Sequence, residues 1–229
     1  MASGRWTDVY ELGTGRVLRR YRDAAGMPPW EADVMRLARQ GGVPVPEVFD
    51  ADGRDMVIER VDGPSMLEDL TRRPWRAVSH AQTLVELHRL VHSVSAPGWL
   101  PPVPGTGGCL LHMDLHPANV IISGAGPVLL DWQGAARGAA ATDLAHTYLL
   151  LITSSVPGPA RQRAIGQLGQ SVFGALFRAA AGPSVVDSQI CPVACRRLTD
   201  PTLLPQEARR IGRLLSHAGP AGTAGPPAG

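Results

Sequence analysis

Residues 110–132, LLHMDLHPANVIISGAGPVLLDW, limit what this chain can fold into more than any other stretch. Two apolar runs, VIIS and PVLL, flank Gly124-Ala125-Gly126, the pattern of a β-hairpin closed by a glycine turn. The segment before them is short, polar and interrupted by Pro117, so it reads as a loop leading into the first strand. Its polar residues stand as His112-x-Asp114-x-x-x-x-Asn119, and Asp131 ends the second strand. Pairing of 120–123 with 127–130 sets a register that lays the loop against the strand carrying Asp131.

That grouping suits phosphoryl transfer, in which a protein positions groups and neutralises charge and does little covalent work. A carboxylate must meet the acceptor hydroxyl, and Asp114 is the candidate. Mg²⁺ must bridge the phosphates of ATP, and this hard cation prefers carboxylate and amide oxygens, which Asn119 and Asp131 offer. The same loop admits a second reading. His112, Asp114 and His116, as H-x-D-x-H, are suitable ligands for a transition metal in a hydrolase. No other histidine cluster completes such a site, because His80, His88 and His92 share one helix, where packing and surface roles are the default.

Upstream, the chain reads as a small antiparallel sheet with one helix. Residues 7–12 and 16–21 form a hairpin about Gly13-Thr14-Gly15. Pro28 and Pro29 open a helix over 30–40, stopped by Gly41-Gly42, with Trp30, Val34, Leu37 and Ala38 inward and Glu31 near that face's edge. Strands near 48–49 and over 55–61 follow. A cation on the strand 16–21 must reach the phosphates and an acid on the next helix must hold it, which points to Arg19, or Arg20, and to Glu31. Adenine then meets the backbone of Glu59 to Val61. Asp62-Gly63-Pro64 breaks the pattern as a hinge, and beyond it helices are expected over 75–92, 143–153, 161–180 and 205–216. The division expected is 1–62 for the nucleotide lobe, 63–217 for the helical catalytic and acceptor lobe, and 218–229 for a disordered low-complexity tail.

Composition excludes several classes. With 229 residues and 44% hydrophobic side chains the chain can bury a core. A net charge of +2 is too mild to imply nucleic acid or an anionic membrane, and no apolar run is long enough to span one. Cys109, Cys191 and Cys195 are odd in number, and Cys191-x-x-x-Cys195 lacks partners at zinc-site spacing. They read as ordinary thiols of a cytoplasmic protein.

On VLRRY, Glu31, VPVPEVFDADG, MVIERVDG, HMDLHPAN, VLLDW and ATDLAHTYLLL, the chain resembles the aminoglycoside phosphotransferase and choline-kinase-like family. The resemblance covers about residues 9–151. It implies an α+β, bilobal protein-kinase-like fold, an ATP-dependent small-molecule kinase, Asp114 as catalytic base, Asn119 and Asp131 as Mg²⁺ ligands, and Asp143 as a buried acid bracing the catalytic loop. Two departures stand out. Only six residues precede VYEL's strand, with Ser3-Gly4-Arg5 as the remnant of a first strand and glycine-rich loop. Arg also replaces the usual strand lysine, Lys being absent from the whole chain. The shortened lobe keeps a nucleotide-binding pseudokinase in view. The expected partner is a small hydroxyl compound. From Gly134 onward nine arginines face four acids, and aromatic residues are few, so a neutral or anionic acceptor is expected over an aminoglycoside or choline.

Overall fold

The structure, a computed structural model, describes residues 2–3, 7–22, 28–156 and 158–217. Its N-terminal part is a five-stranded antiparallel sheet made of β1 (Ala2–Ser3), β2 (Thr7–Gly13), β3 (Arg16–Tyr21), β4 (Val48–Asp52) and β5 (Asp55–Glu59). The spatial order is β1-β2-β3-β5-β4. Ala2 and Ser3 pair with Val9 and Asp8, which adds a short edge strand before the expected hairpin. Gly4 and Arg5, the expected remnant of a glycine-rich loop, lie outside the described residues, as does the proposed tail 218–229.

The helix α1 (Glu31–Gln40) connects β3 to β4, with Trp30 as its N-terminal cap residue. It buries Ala32, Val34, Met35 and Ala38, while Leu37 stays half-buried. Glu31, placed by periodicity at the edge of that face, is fully buried. An acid can sit there because two polar groups of β3 meet it, and pattern alone does not reveal them.

After β5 the chain crosses to the second half through Gly63, whose φ of +148° and cramped position leave no room for a side chain. A Cβ there would stand 2.3 Å from the carbonyl oxygen of Ile122. Ile122 donates its N–H to Pro64 O at 2.8 Å, so the crossing segment runs against the central hairpin. An unexpected helix, α2 (Met66–Arg72), follows. It opens on a capping box between Ser65 and Glu68, a signal present in the S-x-x-E spacing. The helix expected from residue 75 begins later, as α3 (Ala77–His92) behind a single 3-10 turn. Val78, assigned to its inner face by spacing, is exposed, and burial starts with His80 and Ala81.

The remainder is mostly helical. β6 (Cys109–Leu111) pairs with β9 (Ala136–Gly138), and β7 (Val120–Ser123) with β8 (Gly126–Leu129). Around these pack α4 (Ala140–Thr153), α5 (Ala160–Ala181), α6 (Pro183–Leu198) and α7 (Pro205–His217). α6 was not foreseen. Pro192 inside it argues against a helix by rule, yet Gly182 followed by Pro183 is a stop-and-start signal legible in the sequence. One apolar core runs from Met35 and Met56 under the sheet through Leu84, Leu110 and Trp132 to Phe177 and Ile211. The architecture is α+β, an antiparallel sheet joined to a mainly helical half. Among the described residues no helix is long and apolar enough to cross a membrane, and Cys109, Cys191 and Cys195 are unpaired thiols.

The close approach at Gly63 yields a stability prediction. Gly63→Ala forces either a backbone shift or a displaced hairpin, and should lower unfolding free energy by about 2–4 kcal/mol in denaturant titration.

Candidate active site

The loop 112–119 is shaped by a buried charge below it. Asp143 lies in the first turn of α4 and is fully buried. Its Oδ1 accepts the N–H of Met113 at 2.8 Å, and its Oδ2 accepts the N–H of His112 at 3.0 Å and Nε2–H of His92 at 3.0 Å. Burial opposes the charge, but these donors outweigh it and hold the Asp143 carboxyl far below the ordinary carboxylate range. One helical turn on, on the same face, Thr147 donates to Leu115 O at 2.9 Å. Met113 is thereby kept at φ +61°, a left-handed conformation that costs a non-glycine residue about 1–2 kcal/mol.

His112 is an internal strut. Its Nε2–H donates to Leu130 O at 3.0 Å and its Nδ1 accepts the N–H of Asp114 at 3.3 Å. Burial pushes the imidazole below its ordinary value, so it is neutral, and its ring packs 4.6 Å from that of Trp132. Both nitrogens being engaged, His112 has no lone pair for a metal, and the H-x-D-x-H hydrolase arrangement loses its first ligand. Among the described residues no group of three His, Cys, Asp or Glu side chains is arranged to hold a metal.

Asp114, Asn119 and Asp131 come together as the register expectation requires. Val120 pairs with Leu129, and Leu130 donates its N–H to Asn119 O at 2.9 Å, so the loop's last residue abuts the strand end. The Asn119 amide nitrogen donates to Asp114 O at 2.9 Å and to Asp114 Oδ2 at 3.0 Å. That use of the nitrogen leaves the amide oxygen as a donor atom for a cation. Asp131 adopts φ +63°, and its buried Oδ1 has no hydrogen-bond partner among the described residues. A carboxylate oxygen free of hydrogen bonds and an amide oxygen on one cavity suit hard Mg²⁺, whose remaining positions phosphate and water can fill.

From the sheet, Arg19 reaches the same place. Its guanidinium lies 2.9 Å from Glu31 Oε1 and 3.6 Å from Asp131 Oδ1. Alternation on β3 turns Arg20 to the opposite face, where it pairs with Asp55, so of the two candidates Arg19 is the one beside Asp131. Burial works against the Arg19 charge, and Glu31, Tyr21 and Asp131 together more than offset it, raising its pKa further. The Tyr21 hydroxyl donates to the second oxygen of Glu31. At the start of α1, Trp30 Nε1–H donates to Gln133 O at 3.3 Å, pinning the helix to the residues just after Asp131.

Asp114, Asn119 and Asp131 line one cavity of about 760 Å³, together with Gln133, His146, Arg196, Arg197 and Asp200. Glu59 and Val61 do not line it. They border a separate space of about 280 Å³ between the crossing segment and the β7–β8 hairpin. The Glu59 side chain is engaged with Glu47 N at 3.1 Å, and its own N–H with Glu47 O at 2.8 Å. Of the nine arginines after Gly134, only Arg196 and Arg197 face the cavity, so their number said little about its charge. His146 lies on α4, Arg196 and Arg197 on the last turn of α6 and Asp200 just beyond it, so only the packing of these helices brings the four side chains to one cavity.

A sequence profile described as the phosphotransferase enzyme family matches residues 1–107 and 98–181. No curated protein matches in sequence. Among solved structures, the chain is similar to aminoglycoside phosphotransferase APH(4)-Ia in ternary complex with AMP-PNP and hygromycin B, with a TM-score of 0.64 and 16% identity over 97% of this chain and 93% of that one. It is similar to APH(2")-IIa in complex with streptomycin and ATP, with a TM-score of 0.61 and 10% identity over 94% and 90% of the two chains. A choline/ethanolamine kinase family protein from Mesorhizobium loti gives 0.51 and 14% over 92% and 90%. At these identities the likeness is one of fold.

Asp143→Asn should leave one loop N–H facing an amide donor, costing about 3 kcal/mol of stability at neutral pH. The folded-state pKa of Asp143 is depressed, so its contribution is present above the unfolded carboxylate value, about 3.9, and is lost as pH falls below it. Thermal unfolding between neutral pH and pH 3 should therefore show a gap between the two proteins that narrows toward acid.

Proposed function

The chain belongs to the phosphotransferase enzyme family, and we propose that it transfers the γ-phosphate of ATP to a hydroxyl of a small molecule. The observation that carries this reading is the convergence of Asp114, Asn119 and Asp131 on one cavity, with Arg19 reaching Asp131 from the sheet. Asn119 fixes the Asp114 carboxylate through Oδ2. Oδ1, 3.5 Å from His116 Nε2, is left to take the proton of the acceptor hydroxyl. The acceptor oxygen then bonds to the γ-phosphorus, the bond from that phosphorus to the bridging oxygen breaks, and ADP leaves with the electron pair.

Arg19 offers a planar fork to the phosphates, and Glu31 with Tyr21 keeps it oriented. Asn119 and Asp131 would hold a magnesium ion, which when bound would neutralise charge between the phosphates and the carboxylates. Adenine is assigned to the backbone of Glu59 to Val61, where the Val61 N–H donates no hydrogen bond among the described residues. The Glu59 side chain has no part in it, being engaged with Glu47.

Thermal-shift titration with Mg·ATP tests the assignment. Wild type should gain about 3 kcal/mol at a hundredfold excess over Kd. Asp131→Ala should gain much less. Asp114→Asn should bind as wild type does but turn over about 10²–10⁴-fold more slowly. An equal shift in wild type and Asp131→Ala removes Asp131 from the metal role, and binding without turnover of any acceptor marks a nucleotide-binding pseudokinase.

A further inference from the structure

The cavity has two ends of different chemistry. At one end stand Asp114, Asn119 and Asp131, already given to the transfer. At the other, α4, α6, the connection after it and the start of α7 contribute His146, Arg196, Arg197, Asp200 and Glu207. Both acids at this end are occupied by the chain's own donors. Asp200 accepts the Thr202 N–H at 2.8 Å, the Thr202 hydroxyl at 2.7 Å and Arg197 at 2.5 Å. Glu207 accepts the Ser155 N–H at 2.8 Å and the Leu204 N–H at 3.5 Å. A ligand ammonium would have to displace these bonds to find a counter-charge.

Arg196 is the opposite case. It is exposed at the cavity wall, and no acid partners it among the described residues. His146 also faces this space, and its Nδ1 is buried without a hydrogen-bond partner. Burial pushes its imidazole down to about 4, so at neutral pH it is an uncharged group suited to a hydroxyl. A cationic wall residue without an acid, saturated acids and a neutral histidine together describe a site for a hydroxylated anion.

We infer that the acceptor is a polyhydroxy compound bearing a carboxylate or phosphate, with Arg196 meeting the anionic group and His146 a hydroxyl. The assignment rests on the phosphotransferase reading above and extends it to substrate class. Carboxylate and phosphate share this chemistry, and separate probes distinguish them. An exposed guanidinium is screened by water, so its share in affinity is about tenfold rather than a thousandfold.

The test uses the full chain with Mg·AMP-PNP present, titrated calorimetrically. Gluconate, sorbitol and glucamine are six-carbon polyols that differ in charge at one carbon. Sorbitol 6-phosphate and hygromycin B complete the set. At least one of the two anions should bind about tenfold tighter than sorbitol, with glucamine and hygromycin B weaker still. Arg196→Ala should bring the anion-to-sorbitol ratio to about one, and Arg196→Glu should reverse it in favour of glucamine. His146→Ala should weaken all three polyols alike. Tightest binding by glucamine or hygromycin B overturns the inference, as does an anion preference that survives Arg196→Glu. So does absence of binding by every polyol in a protein that Mg·ATP still stabilises. Failure of Mg·ATP itself to stabilise the protein instead brings down the phosphotransferase reading beneath it.

Discussion

A single buried carboxylate organises the loop 112–119 and the cavity it borders. Asp143 is surrounded by apolar packing, and an ion in that setting is tolerated only when its lone pairs are met by donors. Two of those donors are consecutive backbone amides, His112 and Met113, which must turn toward the same acid. That demand imposes the left-handed kink at Met113 and sends the chain outward at Asp114. The neutral His112 imidazole carries the constraint onward, receiving the Asp114 amide and bonding to Leu130 beside Asp131. Asp114 and Asp131, two of the carboxylates facing the cavity, therefore owe their placement to Asp143, which does not line it.

The sheet is joined to this centre by few but directional contacts. Glu31 is fully buried and holds Arg19 through one oxygen and the Tyr21 hydroxyl through the other. Arg19 then stands between two acids, Glu31 and Asp131. Such an arrangement fits a cation whose fork has several donors better than an ammonium, which gives a physical reason for Arg in a chain with no Lys. Trp30, Pro44 and Gly63 make further attachments, by a hydrogen bond to Gln133 O, by accepting the Leu129 N–H at 2.8 Å and by backbone approach to Ile122.

The far wall of the cavity follows different rules. Its acids are satisfied internally, and the groups left without partners among the described residues, the Arg196 guanidinium and the neutral His146 imidazole, differ in character from the end lined by Asp114 and Asp131. One end of the cavity is thus built on a loop fixed by the core and the other on the helices α4 and α6 and the connection to α7.

Local patterns were enough to read the parts of this protein whose physics is local. The hairpin register, the loop spacing of His112, Asp114 and Asn119, and the pairing of a β3 cation with the acid opening α1 all follow from side-chain periods and short connections. Two further local signals, the Ser65–Glu68 capping box and Gly182-Pro183, mark the starts of α2 and α6. Tertiary structure alone decided the rest. Glu31 lies at the centre of a packed interface and not at its edge, Val78 points to water, and only two of nine arginines reach the cavity. These outcomes depend on which elements come to lie against one another. Burial and charge pairing between residues far apart in the chain leave no periodic trace, so no sequence window contains them.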